Sequence, residues 1–322
     1  MENKLKKLIE SAIKAPSGHN TQPWKFKIVD NTIQIHPDFS RSLPVVDADH
    51  HALYISLGCA AENILIASTH EGLDAKLEFV KDQEGTEYLS IDFMPNGSVE
   101  PDGLFDWIEK RQSTKNKYTD RQVPDDDLDQ LRRSFDFEGI SLLTITNKEE
   151  IEKLTPLIVE GSNRQFENRA FVKELISWIR FSRKEALQAK DGVWAASMGM
   201  PGVGRWIGGF IMGNLVSAKS EAKRWEGLIR ASAGLALFVS QENDVRHWVC
   251  LGRALQRFGL SATRLSISHA HMNMPCEEIE VREKLARYLE LENKHPLLIL
   301  RFGYSDPMPY SFRRDAKAVI VE

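Results

Sequence analysis

Three short segments of this 322-residue chain carry residue types that can hold a polar ring and an anion. The first is Ala15-Pro16-Ser17-Gly18-His19-Asn20-Thr21-Gln22-Pro23-Trp24. Pro16 and Gly18 fix a tight backbone path, and Ser17, His19, Asn20, Thr21 and Gln22 crowd hydrogen-bonding groups into few residues. That density suits the edge of a heterocycle that needs several donors and acceptors. The same residues also read as a helix-to-strand loop in which Ser17 or Asn20 satisfies local backbone groups. The second segment is Arg111-x-Ser113-x-Lys115, two cations flanking a hydroxyl, a pattern that can grip a phosphate. A solvated charged loop is its plainer reading. The third is Ser311-Phe312-Arg313-Arg314 near the C-terminus, either a dibasic anion clamp or an exposed tail.

Two further stretches invite a functional reading. Ser266–Glu277 (SISHAHMNMPCE) holds His269, His271 and Met272, which can face a ligand; histidines two apart with no completing carboxylate read as a loop surface rather than a metal set. Gly192–Gly213 is rich in glycine, methionine and tryptophan. It reads as a lid over a bound group or as a packed connecting loop.

Composition narrows the classes. Hydrophobic residues make up 42% and charged residues 27%, the balance of an ordinary globular chain. A net charge of −4 speaks against nucleic-acid or anionic-membrane binding, so any phosphate site must be a local cluster of cations. Cys59, Cys250 and Cys276 are odd in number and widely spaced, which suggests neither a disulfide framework nor a zinc site. The N-terminus lacks the apolar core of a signal peptide, and the apolar run Val203–Val216 is too short to span a bilayer. The expected location is cytoplasmic.

The length suits two fused units of roughly 150 residues each. Leu5, Leu8, Ile9, Ala12 and Ile13 fall at helical spacing, and the break at Pro16-Ser17-Gly18 leads into strand-like runs at Trp24–Val29 and Thr32–His36. A long helix apolar around much of its circumference is predicted over about Asp49–Glu71, with Gly72 as its C-terminal cap. Lys76–Lys81 and Tyr88–Phe93 form a further strand pair. Beyond residue 101 the pattern restarts: a strand at Ser141–Thr146, largely helical sequence from Lys148 to Ala189, a strand at Leu235–Ser240 and a helix at Asp244–Leu260. A helix at Glu278–Leu289, a last strand at His295–Phe302 and a polar tail complete it. Leu57-Gly58-Cys59-Ala60 and Leu251-Gly252-Arg253-Ala254 share three residues at equal spacing, with Thr69 and Thr263 at the same offset beyond them. This is a weak internal repeat.

Taken together and in this order, the three segments resemble the nitroreductase-like FMN flavoproteins, and more closely a single-chain branch that includes the mycobacterial Acg-type flavin-sequestering proteins. The resemblance rests on residues 15–24, 41–68, 111–128 and 297–315 and covers nearly the whole chain. It implies an α+β, nitroreductase-like fold: two fused αβ units with mainly antiparallel sheets flanked by helices around a central helix pair. The halves would be residues 1–100 and 101–322, the second with a lid near 190–215, an internal duplication. It implies FMN as cofactor, bound by Pro16, Ser17, Gly18, Asn20 and Gln22 at the ring and by Arg111, Ser113, Lys115, Ser311, Arg313 and Arg314 at the phosphate. Lys115 stands where the family more usually has arginine, keeping the charge and losing a bidentate fork.

Each half lacks one part of the family's site, so one composite site per chain is expected. The implied activity is oxidoreduction, with electrons from NAD(P)H passing through the flavin to a nitroaromatic, quinone or similar acceptor. No side chain is assigned as catalytic acid, base or nucleophile. The alternative is FMN storage without turnover. Expected partners are NAD(P)H and a small-molecule acceptor, with no nucleic acid, membrane or metal, and the chain is expected as a monomeric pseudo-dimer or a homodimer.

Overall fold

The computed structural model describes residues 1–322. Strict alternation along Trp24–Val29, Thr32–Pro37 and Glu87–Pro95 sends Trp24, Phe26, Ile33, Ile35, Leu89 and Ile91 to one buried face. These strands join Leu73–Lys81 and the terminal Ile320–Val321 in a five-stranded sheet. Its order is Ile320–Val321, Trp24–Val29, Thr32–Pro37, Glu87–Pro95, Leu73–Lys81. The pairings are antiparallel, Phe26 opposite Ile35 and Ile33 opposite Ile91, except that Phe26 pairs in parallel with Ile320. The polar tail therefore does not end as a free segment. It crosses to the first sheet and supplies an edge strand.

A second sheet of four antiparallel strands runs Ile140–Ile145, Gly234–Ser240, His295–Gly303, Ser268–His271. Gly234–Ser240 is buried at every residue, as a strand covered on both faces must be, which explains its unbroken apolar run.

Between the sheets lie two 20-residue helices, His51–His70 and Val245–Arg264. The first is long and apolar enough to cross a membrane, yet 83% of its apolar window is buried inside the fold. The pair meets backbone to backbone. A Cβ on Gly58 would stand 2.1 Å from the Val249 carbonyl oxygen, and one on Gly252 would stand 2.0 Å from the Ile55 carbonyl oxygen. The shared Leu-Gly motif thus marks two positions where only glycine fits, and each glycine meets the other helix at an equivalent residue. Farther along, Gln256 Nε2 donates to Asn63 Oδ1 at 2.6 Å, and the guanidinium groups of Arg253 and Arg257 pair with Glu62 at 2.7 and 2.8 Å.

Several local expectations change. The helical run after Lys148 is three helices, Lys148–Glu167, Arg169–Trp178 and Arg183–Ala189. Asn168 leaves helical geometry and its side chain caps the second helix through the Ala170 N–H. Residues Ile179–Arg180 pair in parallel with Val193–Trp194, closing a small two-stranded sheet. The Gly192–Gly213 stretch contains a helix, Arg205–Asn214, and is followed by the unanticipated helix Ala218–Arg230, started by a Ser217/Ser220 capping box. Ser266–Glu277 is not one loop: it holds the edge strand Ser268–His271 and the helical turn Met274–Glu277.

Candidate functional site

A cavity of about 1060 Å³ opens beside the second sheet, where Ala270, His271 and Arg301 line it. Pro16, Ser17, Gly18 and Asn20 line it from the first segment, Arg111, Ser113 and Lys115 from the second, and Ser311, Arg313 and Arg314 from the third. Three segments far apart in sequence thus converge on one space. Gln22 is the exception. It is fully buried behind the lining, where its Nε2 donates to Lys190 O at 2.8 Å and its Oε1 accepts from Arg314 N at 2.8 Å.

The first segment is held in a conformation that sequence alone does not dictate. His19, Asn20 and Gln22 all sit at positive φ, of 45°, 55° and 54°. Non-glycine residues rarely adopt this region, and a run of them in one loop marks a backbone constrained by its surroundings. Ser17 Oγ accepts the Gln22 N–H at 2.9 Å and closes the loop on itself. Asn20 Nδ2 donates to Gly192 O at 2.9 Å and to Phe312 O at 3.0 Å. One side chain therefore ties the loop to the root of the 192–217 segment and to the C-terminal tail. With both amide hydrogens used, Asn20 Oδ1 is left buried without a partner, as is His19 Nδ1. Such atoms are rare in a finished interior and fit a polar group bound against them.

The cations carry the second signal. Arg111 is 5% exposed, and its guanidinium reaches only the Lys14 carbonyl oxygen, at 3.1 Å, while its Nε has no partner. Arg313 meets only nearby backbone carbonyl oxygens at 3.4 Å, and its Nε is also unpaired. Neither these two nor Lys115 forms an ion pair. Burial pushes the Arg111 guanidinium down to about 10. Burial, with Arg111 nearby, takes Arg313 to about 9, and burial, with Arg224 nearby, takes Lys115 to about 8. Buried cations without carboxylates are costly to keep charged. Their concentration on one wall is what a dianionic phosphate would repay, and the residues present fit a flavin mononucleotide.

Two contributors, Arg301 and Gln112, escaped sequence reading. Arg301 is 1% exposed in an otherwise apolar strand; it donates to Lys115 O at 2.8 Å and Asn116 O at 2.9 Å and stacks over Tyr118. An arginine inside Leu297–Phe302 was the available signal. Gln112 braces the tail by accepting the Met308 N–H at 2.8 Å. His271 reaches the cavity from the edge strand, held neutral with its pKa lowered to about 4 by burial and then by Lys115 and Arg111. His269 does not line the cavity. It fastens the clamp loop instead, its carbonyl accepting the Thr114 N–H at 2.9 Å.

The 192–217 segment roofs the space. Ser197, Met198, Met200, Val203, Ile211 and Met212 line it, and Trp194 packs on Phe312 with ring centroids 5.5 Å apart. Gly208 lets the roof helix lie on Phe181, where a Cβ would stand 2.1 Å from the ring.

The Asp47, Asp49 and His51 ligand atoms also cluster. Both Asp47 oxygens already accept backbone N–H groups, those of Ala52 and Leu53, at 2.8 and 2.9 Å. Asp49 accepts from His51 at 2.6 Å. The cluster caps the central helix and leaves little for a metal.

The chain is similar to several known proteins. A family model described as "Putative TM nitroreductase" matches residues 1–68. The Mycobacterium tuberculosis protein named "Putative NAD(P)H nitroreductase Rv3131" is 21% identical over 325 residues, covering 98% of this chain and 90% of its own. The chain is thus similar, over nearly its whole length, to a protein named as a nitroreductase. A second M. tuberculosis relative, named for acg, is 29% identical over 92 residues, 28% of each chain. Among solved structures, a nitroreductase from Bacteroides fragilis with bound FMN aligns at a TM-score of 0.42 with 15% identity, over 69% of this chain and 100% of its own. The chain's own elements form the expected α+β fold, with helices and mainly antiparallel sheets.

Proposed function

We propose that this nitroreductase-like chain binds one FMN in the cavity and uses it as an NAD(P)H-dependent oxidoreductase. The carrying observation is the convergence of three distant segments, rich in unpaired buried polar groups, on one space. Arg111, Ser113, Lys115, Ser311, Arg313 and Arg314 would hold the phosphate, and the Pro16–Asn20 loop would meet the ring edge. Gln22 would act behind the lining, pinning the tail through Arg314. Bound FMN supplies hydride and electron transfer; the acceptor would be a nitroaromatic, quinone or similar molecule. The protein's part is to orient the ring, hold the dianion and exclude water under the 192–217 roof. We also read residues 1–100 and 101–322 as two fused halves sharing that single site, the symmetric Gly58–Gly252 crossing being the supporting feature.

Storage of FMN without turnover is favoured by one feature, the methionine-rich roof over the cavity. Anaerobic mixing with NADH or NADPH separates the readings. Bleaching of the flavin band within seconds supports the oxidoreductase, and persistent colour with both donors leaves storage. The cofactor assignment is tested separately by gel filtration of Arg111→Ala/Arg313→Ala. Loss of flavin is expected, and full retention would refute the phosphate assignment.

A further inference from the structure

The roof helix Arg205–Asn214 is apolar on two opposite sides, and Arg205 is its only charged residue. One side, with Gly208, Ile211 and Met212, lines the cavity. The other carries Trp206, Ile207 and Phe210, and Leu215 follows at the helix end; none of these four lines the cavity. Trp206 is 91% exposed and Leu215 66% exposed. Positions 206, 207 and 210 adjoin on a helix surface, so they form one patch rather than scattered side chains. A tryptophan alone offers roughly 200 Å² of contact area, and contiguous apolar patches of a few hundred Å² mark docking surfaces. A helix apolar nearly all round belongs in a protein core or in lipid. The run is too short to span a bilayer, but long enough to lie along one.

Charge decides which partner the patch suits. The chain's net charge of −4 conceals a division: residues 169–230 hold eleven lysines and arginines against five carboxylates, a net +6. Four of those carboxylates are engaged. Glu174 accepts the Val45 and Val46 N–H groups, Asp191 pairs with Arg180, Glu185 with Arg205 and Glu221 with Arg224. Five exposed cations stand near the roof helix without an ion pair. Lys173 lies one turn before Ile176, against which Gly209 and Gly213 pack, and Arg183 and Lys184 lie between Phe181 and Glu185, which the same helix contacts. Lys219 and Lys223, one turn apart, follow Leu215 on the next helix. A two-fold contact between copies would bring two such surfaces together and set like charges face to face. Anionic lipid offers the opposite charge, and tryptophan favours the membrane interface.

We propose that the outer side of the roof helix is an interfacial docking site for an anionic lipid bilayer. Trp206, Ile207, Phe210 and Leu215 enter the boundary between headgroups and acyl chains, and the surrounding lysines and arginines meet the lipid phosphates. The inference does not depend on what fills the cavity, because the four apolar residues lie outside its lining.

The test is flotation of the full chain, as purified, with vesicles of two compositions. One holds equal parts of phosphatidylglycerol and phosphatidylcholine, the other phosphatidylcholine alone. Partitioning onto the anionic vesicles should be at least about tenfold stronger, and should collapse in about 0.5 M salt. Trp206→Ser/Phe210→Ser should weaken it at least about tenfold, with circular dichroism and any bound flavin as in the unmodified protein. Lys219→Glu/Lys223→Glu should weaken it on the anionic vesicles only, and decides the matter if the first variant does not fold. Partitioning that is absent, equal on the two compositions, indifferent to salt or unchanged in the folded variants overturns the proposal. Sedimentation velocity without lipid covers the remaining occupant: a dimer that Trp206→Ser/Phe210→Ser dissociates would give the patch to a second copy and overturn it too.

Discussion

Gly58 and Gly252 touch across the centre of the molecule: a Cβ on Gly252 would stand 3.0 Å from Gly58 Cα and 2.0 Å from the Ile55 carbonyl oxygen. The obstructing atoms are backbone, which cannot rotate away. Any side chain must therefore push the two central helices apart.

Gly58→Ala should destabilise the protein by about 3 kcal/mol or more, at the upper end of overpacking effects. Gly97→Ala is the control, since nothing lies within 4 Å of its added Cβ. A thermal melt of both variants checks this, and coincident midpoints would remove the contact from the account of stability. Because the cavity draws on both sides of the helix pair, flavin affinity should fall with Gly58→Ala and hold with the control.

Lys115 should make cofactor binding depend on pH. Burial brings its ammonium to about 8 in the cofactor-free protein, whereas a bound phosphate dianion should return it toward the ordinary lysine range. Above pH 8 the free site has lost a proton that the complex must regain, so FMN affinity should fall as pH rises. The slope approaches tenfold per pH unit until the lysine of the complex itself titrates. Calorimetry in two buffers of different ionisation enthalpy reads the proton uptake, and none at pH 9 would contradict the assignment. Stability of the cofactor-free protein moves oppositely. The folded-state pKa lies below the unfolded one, so the penalty is fully present below pH 8. It is relieved as pH climbs from there to the unfolded lysine value.

The sequence made some features easier to read than others, for physical reasons. Strands with one solvated face announce themselves by alternation, and the central helix by its all-round apolar surface. The helix Ala218–Arg230 was harder, since its buried stripe is narrow and its polar residues dominate. Arg111, Lys115 and Arg313 were readable as a candidate clamp because charge patterns are local. The position of Gln22 behind the lining was not legible, because its loop turns through three positive-φ residues that no local pattern announces. The crossing of the tail to pair Ile320 with Phe26 is a long-range contact with only a two-residue strand to signal it.

The roof is rooted at Gly192, whose φ is 70° and whose added Cβ would stand 2.4 Å from the Trp178 carbonyl oxygen. Gly192→Ala should shift the root of the roof, with a backbone penalty of about 1–2 kcal/mol before the clash is counted. Faster release of bound flavin, followed by the rise of free-flavin fluorescence, is the expected outcome. An unaltered release rate would mean that the 192–217 segment does not control exit.

Asn20 offers the sharper probe of the same coupling, since one amide serves two segments. Asn20→Ala leaves the Gly192 and Phe312 carbonyl oxygens without their donor, a loss of about 1–3 kcal/mol for each group left buried. Asn20→Asp should be worse for the roof, because a carboxylate would face two carbonyl oxygens at 2.9 and 3.0 Å. Limited proteolysis should then cut within residues 192–217 at least about tenfold faster than in the unmodified protein. Secondary structure by circular dichroism should stay nearly constant, because the central helices and both sheets do not depend on this tie. Equal cutting rates in all three proteins would show that Asn20 orders only its own loop.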